Sequence, residues 1–232
     1  MKIKNPFKNL SKLELALWLC SVIIVTSSFW LSSSQDYLTL LSSLIGVTAL
    51  IFVAKGYVIG QILTVIFAVF YGIISFHFKY YGEVITYLGM TSPIAILTVI
   101  SWVKHPYEKT SEVTVNQMTK FQVAVMLGLT IIVTSAFYFI LNELSTANLL
   151  FSTISVATSF IASYLTFMRS AYYAVGYMAN DIVLIMLWVL ATIENGAYLP
   201  MILCFVMFFI NDAYGFLNWQ AMRKRQANDE TL

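Results

Sequence analysis

The sequence has almost none of the residues on which metal and redox sites are built. It holds two cysteines and two histidines in 232 residues. Cys20 and Cys204 each lie inside an apolar segment. That placement reads as two lipid-buried thiols and speaks against a disulfide or a metal site. There is no HExxH zinc motif, no Walker A loop and no Ser–His pair at comparable depth, so an intramembrane enzyme has little to rest on. No cofactor is expected. Charge is scarce too. Charged residues make up 10% of the chain, where a soluble domain carries about a quarter. The longest polar connection, 104–120, leaves no room for a soluble catalytic domain. A net charge of +2 carries no nucleic-acid signal, because the tails are too short to be binding arms. The basic, apolar N-terminal region lacks a small-residue cleavage site, so it reads as a retained span rather than a signal peptide.

What is present is hydrophobic: 59% of the residues, arranged in runs of the length a helix needs to cross a bilayer, about 20 residues. Eight spans are predicted, at 13–32, 37–54, 57–77, 84–102, 121–141, 147–167, 172–192 and 198–217. Numbering their connections alternately in and out sorts the basic residues. Lys2, Lys4, Lys8 and Lys12 precede the first span, and Arg223, Lys224 and Arg225 follow the last. Lys55, Lys104, Lys109, Lys120 and Arg169 fall on the same side, and only Lys79 falls on the other. Cationic side chains resist translocation, so this split predicts both termini in the cytoplasm. A seven-span reading would leave one basic terminus outside.

The polar connection divides the chain and exposes a weak repeat. Three spans before it include Tyr81-Gly82-Glu83, read as an extracellular turn, and close on Ser101-Trp102. The last three include Glu194-Asn195-Gly196 and close on Asn218-Trp219. Both halves start outside, so the repeat is parallel, with one inserted helix restoring orientation, a recognised transporter plan. The resulting division is 1–36 (basic N-terminus and extra helix), 37–104 (first three-helix bundle), 105–145 (loop and linker helix), 146–220 (second bundle) and 221–232 (tail).

Polar groups in hydrocarbon need a partner or a cavity, so they are the first place to look for function. On the seventh span Tyr173, Tyr177, Asn180 and, nearly, Asp181 share a face at helical spacing. On the eighth, Asn211, Tyr214, Gly215 and Asn218 recur at i, i+3, i+4 and i+7. Amides and phenols beside aromatic rings suit a flat, hydroxyl-bearing ligand. The same residues also serve as glue between helices, and for Asn180 and Asn211 the two readings are evenly matched. Asp212 reads as solvated near the last turn. Trp102, Trp219, Trp188 and Trp30, near span ends, read as interface anchors. The first half offers Gln61, Tyr71, His77, Tyr87 and Thr91, with Gln61 near the cytoplasmic start of its helix. Pro93 should kink its helix and free a carbonyl.

Arg169, the Tyr173/Tyr177/Asn180/Asp181 face, the Asn211-Asp-Ala-Tyr214 signature, Tyr81-Gly82-Glu83 and the paired Trp102 and Trp219 together resemble the PnuC family of bacterial vitamin and nucleoside transporters. The resemblance implies an all-α polytopic membrane protein of eight helices. One extra N-terminal helix would precede a 3+1+3 SWEET-like core spanning roughly residues 37–219. It implies a homotrimer in the bacterial cytoplasmic membrane that imports nicotinamide riboside by facilitated diffusion, with a cytoplasmic kinase trapping the product. Related members take thiamine, riboflavin or deoxynucleosides. A substrate-capture subunit of a larger importer is a more distant reading. In the implied site Asn180 and Asn211 meet ribose hydroxyls or the carboxamide, while Tyr177 and Tyr214 contact the ring or seal the cavity. Asp181 orients the amides or meets the pyridinium charge, and Tyr173, Gln61 and Thr91 complete the lining. Gly176 and Gly215 allow close helix approach. The family's Trp-x-x-Trp pair before the amide is replaced here by Ala174 and Tyr177.

Overall fold

The computed structural model describes residues 6–31, 37–77, 81–108, 110–146, 148–194 and 199–229. A short 3-10 turn, Pro6–Asn9, leads into α1 (Lys12–Leu31), followed by α2 (Tyr37–Ala54), α3 (Val58–His77) and α4 (Tyr81–Lys104). Then come α5 (Lys120–Glu143), α6 (Leu149–Phe167), α7 (Tyr173–Glu194) and α8 (Leu199–Asp229). All eight are long and apolar enough to cross a bilayer, and no strand occurs among the described residues. A helix satisfies its backbone internally, the condition for sitting in lipid. Short connections make successive helices antiparallel, so Lys55, Lys104, Lys120, Arg169 and Arg223 gather at one end of the bundle, its basic end.

Two boundaries depart from expectation. Tyr81-Gly82-Glu83 is the first turn of α4 rather than a loop; its counterpart Asn195-Gly196 lies outside the described residues. The last helix runs on to Asp229, well past the apolar stretch. Trp219, Met222 and Gln226 extend its buried stripe at i, i+3 and i+7, which holds the extra turns in place by packing.

Just before Pro93 the fourth helix is distorted. Proline lacks the N–H and crowds the carbonyl four residues back. Residues Ile85–Thr91 absorb this as a π-helical stretch, in which Ser92 N–H reaches back five residues to Tyr87 O. Wide turns of this kind are frequent at functional sites.

α2 packs against α3 and α8, α3 against α4, α6 against α5 and α7, and α7 against α8. α4 also meets α6. The groups α2–α4 and α6–α8 therefore face each other through α2–α8 and α4–α6, while α5 packs mainly on α6. Gly176 permits the α6–α7 contact: a Cβ there would lie 2.8 Å from Ala162 Cα. At Gly215 it would lie 2.5 Å from Tyr173 Oη.

Helix α1 is more than an appendage. Glu14, 2% exposed, accepts from Lys55 Nζ at 3.0 Å and from Tyr214 Oη at 2.7 Å. Trp18 Nε1 donates to Thr48 Oγ1 at 3.1 Å, and Asn211 Nδ2 to Ser21 Oγ at 2.9 Å. The first helix is thus fastened to α2, to the turn after it and to α8.

The polar connection between α4 and α5 is equally well anchored. Val113 N donates to Gly56 O, where the α2–α3 turn uses a positive φ of 67°. Asn116 N donates to Arg169 O, and Gln226 bonds Val115 N and Val113 O. Arg169 donates to Ser101 Oγ at 2.8 Å and Thr114 O at 3.2 Å.

Three tryptophans read as interface anchors are core residues. Trp102 and Trp219 are fully buried, and Trp188 is nearly so. Trp102 Nε1 donates to Thr166 O at 3.0 Å and Trp219 Nε1 to Val53 O at 2.9 Å. Each indole stitches the basic end of a helix from one group to a backbone carbonyl in the other, which desolvates it. Trp30, 63% exposed, has the placement of an anchor.

Candidate functional site

A cavity lies between the two helix groups and encloses about 650 Å³ of space not filled by atoms, its open side included. Every helix of both groups contributes to its wall, and α1 and α5 contribute nothing. Toward the basic end it meets the layer of Trp102, Trp219 and Tyr173, which packs against Val53 and Tyr177 of the wall. Toward the other end it meets the cluster containing Phe67, Tyr87, Phe205 and Phe208. Aromatic bodies thus cap a small polar middle, the usual composition of a ligand pocket.

The polar middle is arranged around Asn180. Its Oδ1 accepts from Ser159 Oγ and Thr158 Oγ1, each at 2.9 Å, with Ser155 Oγ at 3.4 Å. These hydroxyls come from α6. With its oxygen occupied, Asn180 turns its two N–H donors to the cavity it lines. Gln61, 2% exposed, sits across the cavity on α3, and its amide has no protein partner among the described residues. Thr91 Oγ1, on the π-helical segment of α4, is buried without a partner among the described residues and also lines the wall. Tyr177 presents its ring edge-on to Tyr173, with centroids 6.1 Å apart.

Two carboxyl groups complete the lining. Asp181 on α7 and Asp212 on α8 are 3% and 2% exposed. They stand within hydrogen-bond reach of each other. Asp212 is therefore a cavity residue rather than a solvated one. Packing decides this: Phe205, Phe208 and Asp212 recur at i, i+3 and i+7, and that face of α8 is turned inward.

Of the eight residues singled out from sequence, the structure brings Gln61, Thr91, Tyr177, Asn180 and Asp181 to the cavity. Tyr173, Asn211 and Tyr214 are not in its lining. Tyr173 packs on Trp219 at 4.8 Å between centroids. Asn211 bonds Ser21 and Met207 O, and Tyr214 bonds Glu14. The face bearing Asn211, Tyr214 and Asn218 is real, but it is turned toward α1 and the end of α2, where Asn218 Nδ2 donates to Ala54 O at 2.7 Å. Asp212, which the sequence assigns to solvent, and Ser159 and Ser163, which it does not single out, are also lining residues. A signal for the serines exists: Ser152, Ser155, Ser159, Ser163 and Thr166 form a buried small-polar stripe at helical spacing along α6.

The arrangement can hold a flat polar ligand by amide donors, a hydroxyl and ring faces. Among the described residues no group of His, Cys, Asp and Glu is placed to hold a metal ion. The chain is similar to known transporters over most of its length. It is 26% identical over 217 residues to a nicotinamide riboside transporter PnuC of Neisseria mucosa, covering 91% of this chain and 82% of that protein. It superimposes on the crystal structure of the vitamin B3 transporter PnuC with a TM-score of 0.82, at 26% identity and 94% coverage of both chains. Residues 36–221 match the nicotinamide mononucleotide transporter family, a region that contains the whole cavity wall. With eight membrane-length helices and a polar cavity between two helix groups, the chain belongs to this family of PnuC-type membrane transporters.

Proposed function

We propose that the protein imports nicotinamide riboside across a bacterial cytoplasmic membrane by facilitated diffusion, both termini lying in the cytoplasm. The observation that carries the substrate is the charge of the cavity. Two carboxyl groups line it, and among the described residues no lysine, arginine or histidine does. The pyridinium ring of the riboside is cationic and suits this wall. The mononucleotide adds a phosphate that would be buried beside two acids with no basic partner, a costly arrangement. The name of one relative, a nicotinamide riboside transporter, supports the riboside in the same direction. In this reading Asn180 and Gln61 bind the carboxamide or ribose hydroxyls, Thr91 a further hydroxyl, and Tyr177 and Tyr87 pack on the ring. Thiamine is the second candidate, because it is also a cation with an aromatic ring.

Transport would follow from rocking of α2–α4 against α6–α8, treated as the two halves of a parallel repeat, with the indole layer parting at the basic end. A cytoplasmic kinase would then trap the product by adding charge. A homotrimer with one cavity per protomer completes the reading.

Counterflow tests it. Liposomes containing the purified protein and loaded with unlabelled nicotinamide riboside should take up external labelled riboside with no ion gradient. Entry only under an imposed proton or sodium gradient would refute facilitated diffusion. Tighter binding of the mononucleotide than of the riboside would refute the substrate. Reporter fusions at Leu232 and in the 104–120 connection should both report cytoplasm.

A further inference from the structure

Among the described residues no cationic side chain lines the cavity beside its two acids. Lys55 is held by Glu14 at 3.0 Å, and Arg169 is tied to Ser101 and Thr114; neither reaches the cavity lining. Asp181 Oδ2 is buried and finds no donor among the described residues. Its carboxyl group nevertheless stands within hydrogen-bond reach of Asp212 from the neighbouring helix. An ionised carboxylate only accepts hydrogen bonds. The contact is a hydrogen bond, and not a repulsion, only when one proton sits between the two groups.

The other titratable groups facing the pair are Tyr87 from α4, Tyr173 and Tyr177 from α7 and Cys204 from α8. Phenols and a thiol cannot supply a positive charge. Helices α2, α3 and α6 present apolar groups, Gln61, Thr64, Ser159 and Ser163 to the same space. The pair therefore has two sources of neutralisation: a proton or a cationic ligand.

We propose that Asp181 and Asp212 hold one proton between them in the empty cavity and that a cationic ligand displaces it. The empty pair then carries one negative charge. The loaded cavity carries two on the acids and one positive charge on the ligand, so the net charge is unchanged. A neutral ligand displaces no proton and brings no partner for the pair's one negative charge, so it binds more weakly. The inference rests on the proposed cationic vitamin, and the experiment separates the two.

The test is calorimetry on the full-length purified protein in two buffers of different ionisation enthalpy, with nicotinamide riboside, thiamine and uridine as ligands. Each bound cation should release about one proton, and its Kd should weaken about tenfold for each pH unit of acidification while the empty pair holds its one shared proton. Asp212→Asn keeps an amide donor for Asp181. It should bind the cation with an affinity that no longer depends on pH and release no proton. Tight riboside binding with the same enthalpy in both buffers would overturn the shared proton while leaving the substrate reading intact. Proton-releasing thiamine binding without riboside binding would overturn the substrate reading while upholding the pair. Uridine binding as tightly as either cation would overturn the pair. If Asp212→Asn does not fold, the two-buffer measurement on the wild-type protein decides alone.

Discussion

Replacing Asn180 by alanine separates binding from scaffolding at the centre of the cavity. The amide oxygen is occupied by Ser159 and Thr158 at 2.9 Å, so its N–H donors are what the cavity receives. Removing them takes at least one hydrogen bond from a ligand group that is shielded from bulk water. An unpaired buried polar group costs about 1–3 kcal/mol, which converts to roughly 5- to 150-fold in affinity. The structural loss should be smaller. Thr158 Oγ1 already lies 3.0 Å from Ile154 O and 3.1 Å from Ser155 O, and can return to them. Ser159 loses its acceptor outright, and Ser155 loses its longer contact at 3.4 Å. Kd for nicotinamide riboside and the melting temperature should be measured on the same purified Asn180→Ala protein. A large rise in Kd with a small melting shift is expected. Affinity within about twofold of wild type, with a large melting drop, would show that Asn180 only joins α6 to α7 and would refute its place in the site.

Asn211→Ala should give the opposite pattern, because its amide donates to Ser21 on α1. Losing one interhelical hydrogen bond in a membrane protein costs about 0.6–1.7 kcal/mol, so the melting temperature should fall while riboside affinity holds. Glu14→Ala should destabilise more than Lys55→Ala, by up to about 3 kcal/mol. It strands Lys55, whose side chain is 14% exposed, and removes the acceptor of Tyr214; a proteolysis or melting assay should show α1 loosened. Gly176→Ala forces a Cβ to within 2.8 Å of the Ala162 backbone and should cost about 1–3 kcal/mol. Gly128→Ala meets nothing within 4 Å and should be neutral or stabilising, a matched control for the same substitution.

Periodicity and charge settle some properties of this chain without any tertiary contact. Apolar runs of bilayer length make eight helices, because a backbone in lipid has no other way to satisfy itself. Proline in the fourth span forces a distortion, because the missing N–H and the ring clash act within one turn. The polar faces of α7 and α8 are equally local. What each face meets is not. Asn211 and Asp212 are consecutive, about 100° apart on one helix, and they end on different partners: Ser21 of α1 for one and the cavity for the other. An amide suits glue and ligand alike, so composition could not choose between them. Only the docking of α1 onto α2 and α8 decided it, by claiming the Asn211 and Tyr214 face and leaving the Phe205, Phe208 and Asp212 face for the cavity. The tryptophans follow the same logic. Their position near span ends is a property of the sequence, but whether an indole faces lipid or closes a gap between two helix groups depends on residues such as Val53 and Thr166, which are distant in the chain.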